Sequence, residues 1–304
     1  MKKSAFALCA LLGLVWGSNF IFVKWATHSI TPVQVTLLRV FFGFIPVLAY
    51  ALAKGALRWA HWRHAHHFVV MSLLATAVYY YAFAEGTALL PSGIAGMLGG
   101  AIPLFTFLCA WLFLRSEPLD GMKVFGIGLG FLGVLLIAQP WSVQGQINPT
   151  GIGYMMFGSL SVGCSFVYAR RFLSPLGLQP VALATYQIGL ALVFLTLVTP
   201  FTGLGKVFDD QRAWLGLTFG LGLLGTGFAY IAYYYIVETL GALAASSVTY
   251  IPPVIALLIG VYFGEPLTLS AGLAIVTILA GVACVQYSSR ANARRLASEA
   301  SQGV

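Results

Sequence analysis

The residues most able to do chemistry are polar or aromatic side chains set inside long apolar runs. Arg39 is one: a guanidinium within an apolar stretch can receive a carboxylate, or it can snorkel outward or bond helix-end carbonyls. Trp16 and Asn19 stand three apart, on one face of a helix, and the Asn19 amide offers both a donor and an acceptor. Ser165 and Tyr168 occupy comparable places later in the chain, so two helices could bring all four to one cavity wall. Helix-to-helix polar contact is the competing reading. Tyr79, Tyr80, Tyr234 and Tyr250, with Gln187, form a further candidate lining set, because aromatic walls with a few hydroxyls suit amphiphilic ligands. An aromatic belt at the membrane interface is the alternative for any one of them.

Other groups point to structure. Glu85 and Glu238 fall at segment ends, in reach of water. Glu117 and Glu265 each precede a proline that fits a first helical turn, where a carboxylate would cap free N–H groups. His61, His64, His66 and His67 cluster in one short polar stretch with no Cys or acid to complete a metal site. Cys9, Cys109, Cys164 and Cys284 lie in apolar runs and read as small hydrophobes. There is no phosphate-binding GxxxxGK[ST] loop, no His-Glu-x-x-His and no paired-aspartate motif. A catalytic, metal-dependent or cofactor-dependent role is therefore not expected.

The elements that must position these residues follow from composition. Of 304 residues, 60% are hydrophobic and 8% charged, and mean hydropathy is +0.91. A soluble domain carries about 25% charged residues, and disorder needs low hydrophobicity, so both are excluded. The apolar runs are too long for barrel strands and lack alternation, which leaves an all-α integral membrane protein. The predicted spans are 4–23, 33–53, 67–87, 92–114, 121–139, 150–169, 180–200, 213–236, 242–263 and 267–287. Met1-Lys2-Lys3 before an apolar run could open a signal peptide, but the run reaches Val23, longer than a typical h-region.

Charge sets the orientation. With the N-terminus in the cytoplasm, the inner segments hold twelve bases: Lys2, Lys3, Lys54, Arg58, Arg63, Arg115, Lys123, Arg170, Arg171, Arg290, Arg294 and Arg295. The outer segments hold three, Lys24, Lys206 and Arg212. This bias predicts a multi-pass protein of the cell (inner) membrane with both termini cytoplasmic. The net charge of +8 thus belongs to topology, and no nucleic-acid partner is implied. The partners expected are the bilayer and a small-molecule substrate, with monomer and homodimer both open.

The chain also repeats itself. Trp16-Gly17-Ser18-Asn19-Phe20 resembles Val162-Gly163-Cys164-Ser165-Phe166. Tyr79-Tyr80-Tyr81 echoes Tyr233-Tyr234-Tyr235, Pro103 echoes Pro252-Pro253, and Glu117-Pro118-Leu119 matches Glu265-Pro266-Leu267. Residues 1–140 and 150–287 therefore read as two five-helix units, joined by an outer loop at 141–149 and followed by a polar tail at 288–304. Five is odd, so the second unit is inverted, an arrangement that places substrate near the midplane between halves. Pro103, Pro252 and Pro253 are candidate hinges, since proline disrupts the helical hydrogen-bond ladder. Glycines four apart (Gly96 and Gly100, Gly126 and Gly130, Gly216 and Gly220) read as close-packing faces.

Trp16-Gly17-Ser18-Asn19-Phe20, Arg39 and the two Pro-to-Glu-Pro stretches resemble the drug/metabolite transporter superfamily, in its EamA-like branch. The tract Tyr79–Tyr81 and the ten-helix count are similar to the YddG-type amino-acid exporters. One departure is Arg115-Ser116-Glu117, where the family often has Leu-Gly-Glu-Arg. The resemblance implies export of amino acids or related metabolites by alternating access. A membrane-embedded enzyme or lipid-handling scramblase is the alternative.

Overall fold

The computed structural model describes residues 2–114, 120–138, 147–240, 247–265 and 268–302; the side chains of 2–6, 138, 234, 237–240, 247, 250 and 289–302 are not described. Among the described residues all regular secondary structure is helical, with no strand. That is what a bilayer demands of a 60% hydrophobic sequence, because each backbone N–H and C=O in hydrocarbon must find its partner within the helix.

The helical segments among the described residues follow one another in this order. They are α1 (Lys2–Ser29), α2 (Pro32–Ala53), α3 (Trp59–Leu89), α4 (Ser92–Leu114), α5 (Gly121–Ala138), α6 (Pro149–Leu176), α7 (Pro180–Val198), α8 (211–240), α9 (Ile251–Tyr262) and α10 (Leu269–Gln302). Among the described residues, eight of these segments contain a stretch long and apolar enough to cross a membrane; α5 and α9 contribute the shorter apolar helices Gly121–Ile137 and Ile251–Tyr262. The last helix runs on to Gln302, where the polar composition predicts a mobile tail from 288.

Local chemistry sets the boundaries. Thr31 and Gln34 form a capping box over Pro32 at the first turn of α2, and Gln34 Nε2 also donates to the carbonyls of Pro200 and Thr202 at 2.7 and 3.0 Å. The Asn148 side chain accepts from the N–H groups of Thr150 and Gly151 to start α6, and Asp210 does the same for α8. Gly177, at φ +61°, closes the end of α6 in the left-handed conformation that a Cβ disfavours.

The burial pattern is that of a protein solvated by lipid. Leu14, Phe41, Ile45, Phe157, Val193, Phe219, Leu258 and Val276 are exposed, while Asn19, Arg39, Thr76, Ser165, Gln187 and Thr226 are buried. Apolar chains have nothing to gain by turning inward from hydrocarbon, whereas polar ones do. Small residues let the helices close up: Gly281 lies against the backbone of Gly126 and Gly130 between α10 and α5, and Gly216 and Gly220 receive the Phe22 ring between α8 and α1.

The extensive packing partners are α10 with α5, α4 with α9, α2 with α7, α2 with α8, α3 with α7, α3 with α6, α1 with α8, α1 with α9 and α4 with α6. This set maps onto itself when each of the first five helices is exchanged for the one five further on. Thus α1–α9 exchanges with α6–α4, and α2–α8 with α7–α3. The glycines of the repeated motif share this relation. A Cβ on Gly17 would meet Ile255 and the Pro252 carbonyl, and one on Gly163 would meet the backbone of Phe105 and Thr106.

Both proline positions begin helical pieces. The α4 ladder is interrupted at Gly100 and Ala101, and a new piece starts at Ile102, with Pro103 in its first turn. Pro252 and Pro253 likewise open α9 after a 3-10 turn at Ser247–Tyr250. A first turn has no use for the N–H that proline lacks, so the ladder restarts there.

Candidate functional site

Four helices meet at Arg39. The residue lies in the second turn of α2, and its side chain is 9% exposed. Its Nε donates to Thr226 Oγ1 of α8 at 3.1 Å. Its guanidinium carbon sits 3.9 Å from the centre of the Tyr80 ring of α3. In the orientation that satisfies both ends of its amide, Asn19 of α1 accepts from Arg39 Nη2 at 3.3 Å and donates to the Val15 carbonyl at 3.1 Å. Gly225 gives the amide room, since a Cβ there would lie 3.1 Å from Asn19 Cγ. The cation is thus stacked and hydrogen-bonded, but none of these contacts, among the described residues, is a carboxylate. A buried guanidinium in lipid costs several kcal/mol unless paired, and a ring face plus neutral acceptors offset only part of that.

A second polar cluster is centred on Gln187 of α7, which is 7% exposed. Its Nε2 donates to Thr76 Oγ1 of α3 at 2.8 Å and to the Tyr230 hydroxyl of α8 at 3.3 Å. Tyr80, Leu37, Val40, Ala184 and Ile188 pack in one apolar cluster with Tyr79 and Tyr230, which joins the two polar groups across α2, α3, α7 and α8. Both threonines lie where the helix widens to a π-helix, Leu73–Ala77 in α3 and Gly216–Phe228 in α8. Within the second, Thr226 Oγ1 donates to the Leu221 carbonyl at 2.9 Å. Such widened turns expose backbone acceptors and recur at functional sites.

The predicted residues do not all converge here. Asn19, Arg39, Tyr79, Tyr80 and Gln187 do. Trp16 packs on Tyr233 with ring centres 6.0 Å apart, one turn along α1 from Asn19. Ser165 is buried, and its hydroxyl donates to Val162 of its own helix at 2.7 Å. Tyr168 lies about one turn further along α6, its hydroxyl 2.7 Å from His67 Nδ1 and its ring against Phe172. Among the described residues, the contacts of Ser165 and Tyr168 are thus with their own helix and with α3, not with Trp16 or Asn19. The repeated motif carries sequence likeness, but the contacts of the two helices direct their polar groups differently. The side chains of Tyr234 and Tyr250 lie outside the described residues, as does Glu117.

Three residues of the site were not read from sequence: Thr76, Thr226 and Tyr230. Thr76-x-x-x-Tyr80 and Thr226-x-x-x-Tyr230 form a repeat, 150 positions apart, that would have found them. The earlier pairing of Tyr79–Tyr81 with Tyr233–Tyr235 is displaced from it by one helical turn.

Glu265 does cap a helix, but not its own. Its carboxylate accepts from the Ser92 N–H at 2.6 Å, the Ser92 hydroxyl at 2.7 Å and the Gly93 N–H at 2.8 Å, all at the start of α4. On the other side of the same break, Lys24 Nζ donates to the carbonyls of Ala88 and Leu90, each at 2.9 Å. The histidines pack on aromatic hydroxyls: His61 Nδ1 lies 3.2 Å from the Tyr186 oxygen, and His67 binds Tyr168. Among the described residues no group of three or more His, Cys, Asp or Glu could hold a metal ion.

With this geometry in place, comparison with known proteins is direct. The profile of the EamA-like transporter family matches residues 3–139 and again residues 149–287. The chain belongs to the EamA-like transporter family. An uncharacterised transporter of Archaeoglobus fulgidus is 26% identical over 275 residues, 88% of this chain and 93% of that protein. The inner membrane transporter YedA of Escherichia coli, also uncharacterised, is 27% identical over 263 residues, 85% of this chain and 82% of YedA. YdfC of Bacillus subtilis, an uncharacterised transporter, is 27% identical over 278 residues, 91% of this chain and 88% of YdfC. A crystal structure of similar fold aligns with a TM-score of 0.55 at 22% identity, covering 95% of this chain and 99% of that one. As an EamA-like protein with eight spanning-length helices among its described residues, this chain is a multi-pass membrane transporter.

Proposed function

We propose that this EamA-like transporter exports small metabolites, foremost neutral or aromatic amino acids, from the cytoplasm by alternating access. The observation that carries the reading is Arg39: a buried guanidinium, held from three neighbouring helices, whose contacts among the described residues include no carboxylate. An amino acid brings that carboxylate. The rings of Tyr79, Tyr80 and Tyr230 supply the apolar surface for its side chain.

Alternating access needs two units that rock against each other. The exchange relation in the helix packing supports two inverted halves, residues 1–140 and 150–287, linked by an outer loop at 141–149. The twelve-to-three division of bases supports a cytoplasmic N-terminus and a cytoplasmic tail at 288–304. Pro103 and Pro252-Pro253, at the start of paired helical pieces, serve as the hinges.

The test is purified protein in liposomes with a panel of labelled amino acids. Saturable uptake of phenylalanine or leucine, lost in Arg39→Gln at unchanged protein level, is the expected result. No flux of any amino acid would remove the substrate class. Labelling of a cysteine placed at Ser298 from outside intact cells would overturn the orientation.

A further inference from the structure

Arg39 and Gln187 are 148 positions apart, and their surroundings are the same surroundings exchanged. Arg39 of α2 bonds Thr226 and covers Tyr80; Gln187 of α7 bonds Thr76 and Tyr230. Each threonine is in a π-helical turn, on α8 in one case and on α3 in the other. Each tyrosine lies four residues beyond the threonine of its own helix. The two polar centres are one design used twice, with a cation at one pole and a neutral amide at the other.

The two poles differ in charge and in what they leave free. Gln187 spends its nitrogen on Thr76 and Tyr230, and its Oε1 accepts no hydrogen bond from any described residue. In this orientation the amide oxygen is open to accept from a donor. A cation at both poles would suit a dicarboxylate, and an acceptor at both would suit a diamine. A guanidinium at one and a free carbonyl oxygen at the other suit a molecule with one carboxylate and one ammonium.

Building on the amino-acid reading above, we propose that Gln187 is the second recognition pole of the site, and that its Oε1 accepts from the substrate ammonium while Arg39 holds the carboxylate. The site then selects zwitterionic α-amino acids over carboxylates of the same shape. Asn19 and Thr226 hold Arg39 in place; Thr76 and Tyr230, whose hydroxyls can accept or donate, hold one end of the Gln187 amide, and a bound ammonium selects the orientation with the oxygen toward it.

The experiment measures competition against labelled phenylalanine uptake in liposomes, with 3-phenylpropionate (no ammonium) and 2-phenylethylamine (no carboxylate) as competitors. In the wild type both should compete at least about tenfold more weakly than phenylalanine, the cost of one unmade charge-assisted hydrogen bond. Gln187→Met keeps the volume and removes the acceptor. It should weaken phenylalanine by about tenfold while leaving 3-phenylpropionate unchanged, so the preference collapses. Gln187→Glu should strengthen 2-phenylethylamine. Gel filtration of each variant separates misfolding from a binding change, and if Gln187→Met misfolds, Gln187→Glu decides alone. Phenylalanine uptake that depends on Arg39, with the preference intact in Gln187→Met or 2-phenylethylamine unchanged in Gln187→Glu, overturns this inference and leaves the amino-acid reading standing. No amino-acid uptake by the wild type overturns both.

Discussion

Lys24 and Glu265 hold opposite sides of one break in the chain. The ammonium gathers carbonyls that end α3, and the carboxylate gathers N–H groups that begin α4. Each therefore meets the helix end whose partial charge it complements. Lys24 comes from α1 and Glu265 from the residues after α9, so the corner between α3 and α4 is clamped to both. Gly93 and Gly260 leave space for the carboxylate; a Cβ at Gly93 would lie 3.2 Å from Glu265 Oε2.

In the proposed topology this corner is on the outer face, and opening outward must release it. Glu265→Gln keeps the shape and removes the charge, so it should cost about 1–2 kcal/mol of the clamp. The expected result is a several-fold faster reaction of a cysteine placed at Leu90 with an impermeant maleimide, in a background lacking the native cysteines. Lys24→Met should do the same, and the double variant less than the sum, because both act on one corner. Unchanged labelling in all three would make the contact a static brace.

Arg39→Lys tests whether charge alone suffices at the site. Lysine keeps the cation but cannot stack flat on Tyr80 while reaching Thr226 and Asn19 at once. Uptake should fall by about tenfold or more, in line with the loss of a charge-assisted bond. Tyr80→Phe preserves the ring face and should stay within about twofold of wild type, whereas Tyr80→Ala should approach Arg39→Lys. Equal loss in Tyr80→Phe and Tyr80→Ala would point to the hydroxyl instead of the ring.

Arg39 and Gln187 were legible in the sequence because such groups are rare in apolar helices and costly there. Thr76 and Thr226 were not, because threonine is unremarkable in a membrane helix and can satisfy itself on its own backbone. What distinguishes them is a π-helical turn, and hydropathy carries no sign of one. Glu265 was legible as a cap but not as a cap for α4, since Pro266 beside it suggests a local role and only packing brings α4 near. The contacts of Ser165 and Tyr168 were not legible, because a repeated motif predicts position along a helix more surely than it predicts which neighbour a side chain meets. The span boundaries were read closely for α2 and α7, where apolar run and helix coincide. They fit less well at α10, where polar composition ends the membrane span but not the helix.

Pro103 and Pro252 open paired helical pieces and disfavour a continuous helix through the residue before them, so replacing either lets the two pieces join and stiffens the break. Pro103→Ala should lower the maximal transport rate several-fold with little change in half-saturation, because the site residues lie on other helices. Wild-type rates in both Pro103→Ala and Pro252→Ala would leave the prolines a packing role only.

The seam between α4 and α6 carries its own reporter. Cys109 Sγ and Cys164 Sγ lie 3.3 Å apart, although 55 positions separate them and the sequence shows no paired-thiol spacing. Next to them Gly163 lies flush against the backbone of Phe105 and Thr106, so the two helices are in close register here. This seam is the exchange partner of the one between α1 and α9, where Gly17 meets Pro252 and Ile255. If rocking of the halves slides α6 along α4, joining the two sulfurs must stop it. Mild oxidation with copper phenanthroline should close a disulfide in the wild type, since thiols already in contact need little backbone movement to reach bonding geometry. Uptake should fall to background and return on reduction with dithiothreitol. Cys109→Ser and Cys164→Ser should each transport normally and resist the oxidant. Full transport by the cross-linked protein would show that α4 and α6 move as one body, and the sliding seam would then have to lie elsewhere.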